Sequence, residues 1–106
     1  RGRVYDGLIL DPPSFGRGPK GEVWKIETQM AELLTLCKNI LPHSPQFIVL
    51  TTHSPGVSAL TLKNMIIKFL VDVDAGTFQA GDMSIYDTGS GLHMPNGFYA
   101  RFTTQQ

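Results

Sequence analysis

The spacing of apolar positions changes several times along the chain, and each change predicts an element. Tyr5-Asp6-Gly7-Leu8-Ile9-Leu10 closes on a continuous apolar run, the pattern of a short buried strand. Asp11-Pro12-Pro13 stops it, because proline donates no ladder hydrogen bond and restricts the residue before it. Residues 14–21 hold three glycines, one proline and two cations, a composition that predicts a loop without regular structure. Across residues 22–41 the apolar side chains are Val23, Ile26, Met30, Leu33, Leu34, Cys37, Ile40 and Leu41. Spacings of three and four trace one face of an amphipathic helix, begun by Glu22 and closed by Pro42, with Trp24 off the stripe. Phe47-Ile48-Val49-Leu50-Thr51-Thr52 reads as a second buried strand running into His53-Ser54-Pro55-Gly56.

A second helix carries Leu62, Met65, Ile66, Phe69, Leu70 and Val73 on one face. Asp74-Ala75-Gly76 is expected to end it, with Gly76 in the left-handed conformation. Residues 77–86 and 98–104 are strand-like, and Gly89, Gly91 and Pro95-Asn96-Gly97 between them predict an antiparallel hairpin. The order strand, helix, strand, helix, hairpin places the chain in the α/β class, with parallel strands joined by crossovers.

Composition narrows the class of protein. A hydrophobic share of 42% against 17% charged is that of a folded domain rather than a disordered tract. At 106 residues the chain makes at most one domain, 1–106. The formal net charge is zero, so no global field draws it to nucleic acid, and a basic surface must be local. The longest apolar run is far too short to span a bilayer, and no partner membrane is expected. Cys37 is the single cysteine; it excludes an internal disulfide and fits a reducing compartment, cytoplasmic or an organellar matrix. Arg1-Gly2-Arg3 enters an apolar strand almost at once, which reads as a segment cut from something longer. The first strand would then have an exposed edge, and self-association through it is expected.

The strongest chemical signal is Asp11-Pro12-Pro13-Ser14-Phe15. In an open α/β sheet the ligand crevice lies outside the carboxyl ends of the strands, where this corner falls. The prolines fix the backbone so that its carbonyls can point into the crevice, and Asp11 supplies an acceptor beside them. Together they can accept both hydrogens of a planar exocyclic amine while Phe15 offers a ring for a base to stack on. That is catalysis mainly by positioning. An isolated Asp-Pro-Pro is more often a plain strand stop. Gly16-x-Gly18-x-x-Gly21 fits the letters of a dinucleotide fingerprint, but five residues separate it from the strand and no acid ends the next one. Arg17 and Lys20 in that loop are candidate phosphate contacts. His43, His53 and His93 have no ligand spacing, so no metal is expected. His53, at a strand end, can orient substrate or act as a base.

The stretch Tyr5-Asp6-Gly7-Leu8-Ile9-Leu10-Asp11-Pro12-Pro13-Ser14-Phe15 resembles motif IV of class I S-adenosylmethionine-dependent methyltransferases. The continuation Gly16-Arg17-Gly18-Pro19-Lys20-Gly21-Glu22-Val23-Trp24-Lys25, together with Gly97-Phe98-Tyr99-Ala100-Arg101 in the tail, is similar to the group that methylates large-subunit ribosomal RNA. The resemblance covers nearly the whole chain. It implies the C-terminal half of a Rossmann-like methyltransferase sheet, S-adenosyl-L-methionine as cofactor in the longer parent, and ribosomal RNA as partner. It implies a catalytic set of Asp11, Pro12, Pro13 and Phe15, and substrate contacts from Ser14, Arg17, Lys20 and His53. The family's glycine-rich cofactor motif and ribose-holding acid are not in this sequence and are expected upstream of Arg1, so the chain by itself is expected to be inactive. Cytosine-C5 members carry a cysteine nucleophile at the end of the next strand. Here that place reads Thr51-Thr52-His53-Ser54, which favours an exocyclic nitrogen over carbon as the methyl acceptor. Cys37 falls on the apolar helix face, the place of a packed thiol. The alternative is a non-catalytic methyltransferase-like remnant serving as a partner-binding scaffold.

Overall fold

The computed structural model describes residues 4–13, 15–17, 23–54 and 56–104, and describes side chains for 4–13, 29–54 and 56–104. Its elements are β1 (Gly7–Leu10), β2 (Phe15–Arg17), β3 (Val23–Lys25), α1 (Ile26–Lys38), β4 (Phe47–Thr52), α2 (Ala59–Phe69), β5 (Gly76–Asp87) and β6 (Leu92–Thr104). Four strands form one sheet in the order β1-β4-β6-β5. β1 runs parallel to β4, with Leu10 opposite Leu50, and β4 is antiparallel to β6, with Leu50 opposite Ala100. The α/β class and the parallel pair joined through α1 are as the sequence predicts.

Side-chain alternation decides which face the helices cover. Ile48, Leu50, Ala100 and Phe102 are buried on one face against Met30 and Leu34 of α1 and Leu62 and Ile66 of α2, with Leu8, Leu10 and Phe78 at the margin. The opposite face carries Ile9, Phe47, Val49, Thr51, Tyr99 and Arg101. Helix α2 starts at an N-cap, Ser58, whose Oγ accepts a hydrogen bond from the Thr61 amide at 3.2 Å. This satisfies one of the donors that a helix start leaves over. Lys38, in the last turn of α1, donates from Nζ to the Leu70 carbonyl at 2.8 Å and so ties the two helix ends together.

Several expectations are corrected. Residues 23–25 are not helical: Val23–Lys25 pairs antiparallel with Phe15–Arg17, so part of the expected loop is a strand, and α1 runs only from Ile26 to Lys38, with Ile40 exposed beyond it. Trp24 therefore sits opposite Gly16 in a small ribbon rather than on a helix. α2 ends at Phe69, because the amides of Leu70 and Val71 both turn back to the Ile66 carbonyl. Leu70 and Val71 are then buried, while Val73 is 57% exposed and belongs to no helical stripe. Gly76 is not left-handed; it opens β5, packed so closely that a Cβ would meet the Thr103 carbonyl.

The hairpin is also longer than expected. Its tight turn lies at residues 88–91, with Gly91 at φ +75°. Pro95-Asn96-Gly97 falls inside β6, where Asp82 faces Phe98 but Ser84 faces Pro95. Asn96 and Gly97 thus oppose the single Met83, a bulge that Gly97 permits with its φ of +98°. Pro95 is tolerated because β6 at that point has lost its β4 neighbour.

Candidate functional site

The Asp11-Pro12-Pro13 corner follows directly on β1, and Thr51 to Ser54 end β4 beside it. Pairing of Leu10 with Leu50 makes Asp11 and Thr51 the next neighbours across the two parallel strands. Thr51 Oγ1 donates to Asp11 Oδ1 at 2.6 Å, a short, charge-assisted bond. The other carboxylate oxygen, Oδ2, lies 4.0 Å from His53 Nε2. Asp11 and His53 keep 56% and 54% of their side-chain surface in solvent, so both can meet a ligand. Pro12 is buried and anchors the corner, while Asp11 and Pro13 face outward. Leu10, Asp11, Pro12, Pro13 and Leu33 of α1 line an open concavity at this point.

The β4 end is held from two sides. Thr52 is fully buried, and its Oγ1 accepts from the Ser54 amide at 3.0 Å. Such a hydroxyl-to-backbone link turns the chain locally. On the other side the bulge in β6 brings Gly97 against the strand end. A Cβ there would lie 2.5 Å from the Thr52 carbonyl oxygen and 2.9 Å from His53 Nδ1. A glycine is thus needed both for its backbone angle and for the space that His53 occupies.

The residues expected at the site fare as follows. Asp11, Pro12 and Pro13 come together with His53 at the strand ends. Phe15 and Arg17 lie in β2, which starts two residues past Pro13, with their backbone alone described. Ser14 and Lys20 lie outside the described residues. Thr51 and Gly97 were not among the expected site residues. Thr51 follows from the strand register, which no local pattern reveals, and Gly97 read as a turn residue. Cys37 packs against the core, and its burial pushes the thiol pKa up. That disfavours the thiolate a nucleophile needs. Among the described residues no three His, Cys, Asp or Glu side chains group to hold a metal, and no helix is long and apolar enough to cross a membrane.

No protein-family model matches the sequence, and no curated protein matches it significantly. Solved structures do. The SAM-dependent methyltransferase from Agrobacterium tumefaciens superposes with a TM-score of 0.81 at 26% identity, over 98% of this chain and 34% of that one. SMU.776, a proposed methyltransferase complexed with SAH, gives 0.58 at 20% identity, over 95% and 27%. A proposed SAM-dependent methyltransferase from Streptococcus mutans gives 0.53 at 17%, over 93% and 26%. The chain therefore has the fold of part of a methyltransferase, and it spans about a third or less of the length of these structures.

Proposed function

We propose that this chain is the substrate-side, C-terminal portion of an S-adenosyl-L-methionine-dependent methyltransferase domain that methylates a nucleobase in ribosomal RNA, at an exocyclic nitrogen. The likeness to the Agrobacterium enzyme supports the methyltransferase reading. The observation that carries it to a reaction is the acid-diproline corner at the carboxyl end of β1, where exposed Asp11 meets Thr51 and His53 from the end of β4 and the corner lines an open concavity with Leu33.

Each residue present then has a task. Buried Pro12 keeps the corner rigid. Asp11, with Oδ1 held by Thr51, offers Oδ2 to one N–H of a flat amine, and a carbonyl of the proline corner takes the other. This aims the nitrogen lone pair out of the base plane and costs no reorganisation when the reaction occurs. Phe15 supplies a stacking surface. Ser14, Arg17 and Lys20 contact the RNA backbone. His53, close to Asp11, is placed to take up the proton that the amine gives up. S-adenosyl-L-methionine, when bound, supplies an electrophilic methyl group. The described residues suit the acceptor side of such a site; the glycine-rich turn that would grip the cofactor is not among the motifs of this sequence.

The test uses the longest product of the gene. With labelled S-adenosyl-L-methionine and ribosomal RNA lacking the modification, label enters the RNA. Asp11→Ala lowers transfer by about a hundredfold or more, the scale on which positioning groups act, while calorimetry shows S-adenosylhomocysteine binding unchanged. Retained turnover in Asp11→Ala removes Asp11 from the mechanism. Failure of the wild type to bind S-adenosylhomocysteine assigns the protein instead to a scaffold that uses the fold alone.

A further inference from the structure

We infer that Thr51 is a positioning residue for the amine-binding carboxylate: its hydroxyl locks Asp11 in the rotamer that holds Oδ2 on the side of His53. The inference rests on the methyl-transfer reading above and extends it to a residue outside the acid-diproline corner. Three observations carry it. First, Asp11 is an exposed side chain at the end of a strand, where its χ1 would otherwise rotate freely among three wells. Second, the hydroxyl of Thr51 reaches Oδ1 at 2.6 Å, and hydrogen bonds to charged groups are the stronger ones. Third, Thr51 is itself held rigidly. It lies inside β4, paired on its far side with Tyr99 of β6, and its β-branched side chain has little χ1 freedom. A rigid donor on a central strand thus fixes an exposed acceptor just past the end of β1.

The division of the carboxylate matters for recognition. With Oδ1 engaged by Thr51, Oδ2 is the oxygen left to face a ligand, and His53 Nε2 lies 4.0 Å from it. A carboxylate free to rotate would present either oxygen in several directions, and the amine would be held in several poses. Misplacement of that kind lowers turnover more than binding.

Thr51→Val tests the inference, because it keeps the shape and the strand preference and removes only the hydroxyl. Thr51→Ser restores the hydroxyl, and Thr51→Ala serves if the valine variant folds poorly. In the full-length protein, kcat is expected to fall about tenfold or more in Thr51→Val, as for loss of a charge-assisted hydrogen bond. KM for the cofactor should stay unchanged, and Thr51→Ser should recover most of the rate. Independently of activity, three-bond couplings about χ1 of Asp11 should report one rotamer in the wild type and Thr51→Ser, and averaging in Thr51→Val. A single Asp11 rotamer in Thr51→Val overturns the inference, as does equal loss of rate in the valine and serine variants. Absence of methyl transfer in the wild type sinks the functional reading instead, and the couplings then decide alone whether Thr51 holds Asp11.

Discussion

Gly56 and Gly97, both in turn-like stretches of sequence, have opposite standing in the structure. Gly56 has open space where a Cβ would go, whereas at Gly97 that atom would press on the Thr52 carbonyl and on His53 Nδ1, at a φ of +98°. An L-residue held in that backbone region is strained by about 1–3 kcal/mol, and the shortest contact is with the Thr52 backbone, which cannot swing aside. Gly97→Ala is therefore expected to lower the denaturant midpoint by that order and Gly56→Ala to leave it within error. Equal midpoints for the two variants would show that the bulge relaxes around the methyl group. Because Gly97 abuts His53, the proposed function predicts that the same substitution in the full-length protein also lowers methyl transfer, linking a turn-like residue to the site. At this scale the acid-diproline corner was legible in the sequence, since proline and aspartate announce a strand end wherever they stand. Thr51 and Gly97 were not, because their importance comes from which strand lies alongside, a fact set by β4 pairing with both β1 and β6.

Among the elements, α1, β4 and α2 were readable because their apolar spacing holds over several turns or residues, and Met30, Leu34, Ile48, Leu50, Leu62 and Ile66 are buried as that spacing requires. The small β2–β3 ribbon was not readable, as three residues per strand are too few for a period to show. The helix pattern ran through Val23 only because one apolar residue fits any period. The long β5–β6 hairpin was half seen. Its turn is built by Asp87: Oδ1 accepts from the Gly89 amide at 3.1 Å, Oδ2 accepts from Ser90 Oγ at 2.7 Å, and the Gly91 amide donates to the Asp87 carbonyl. The Ser90 hydroxyl first, and then the Gly89 amide, hold the Asp87 carboxyl below the ordinary carboxylate range. A carboxyl depressed in the folded state stabilises the turn above its unfolded pKa, and that contribution is lost as pH falls through the lowered folded value. Carbon-detected titration should thus show Asp87 ionised at pH values where an unstructured aspartate is half protonated. Protection of the Gly89 and Gly91 amides, relative to intrinsic exchange at each pH, should fall only below that range, and in Asp87→Ala at every pH. An ordinary titration midpoint for Asp87 would mean that the turn does not depend on the ionised carboxylate.

For the whole molecule, the shape itself poses a question of covering. The protein measures 50 × 44 × 20 Å, and a depth of 20 Å is one sheet plus one helix layer of about 10 Å each. Both described helices pack on one face of the sheet, yet parallel strands are ordinarily covered on both. The other face shows Ile9 at 72% exposure and Phe47 at 37%, and it continues along the ribbon through Ile85, Leu92 and Met94, each more than half exposed. β1 is also an edge strand, though only four residues long. A second copy can cover such a face and edge when no other chain does. The chain by itself is therefore expected to exceed its 11.7 kDa monomer mass in light scattering at high concentration. Ile9→Lys puts a charge on both the face and the edge, the device by which edge strands resist pairing. It should return the mass toward that of a monomer with the fold intact by circular dichroism. The same variant separates the two routes to association: if the mass stays high, contacts pass through the apolar ribbon instead, and Met94→Lys should lower it. A monomeric wild type at millimolar concentration would show that this face tolerates water without a partner.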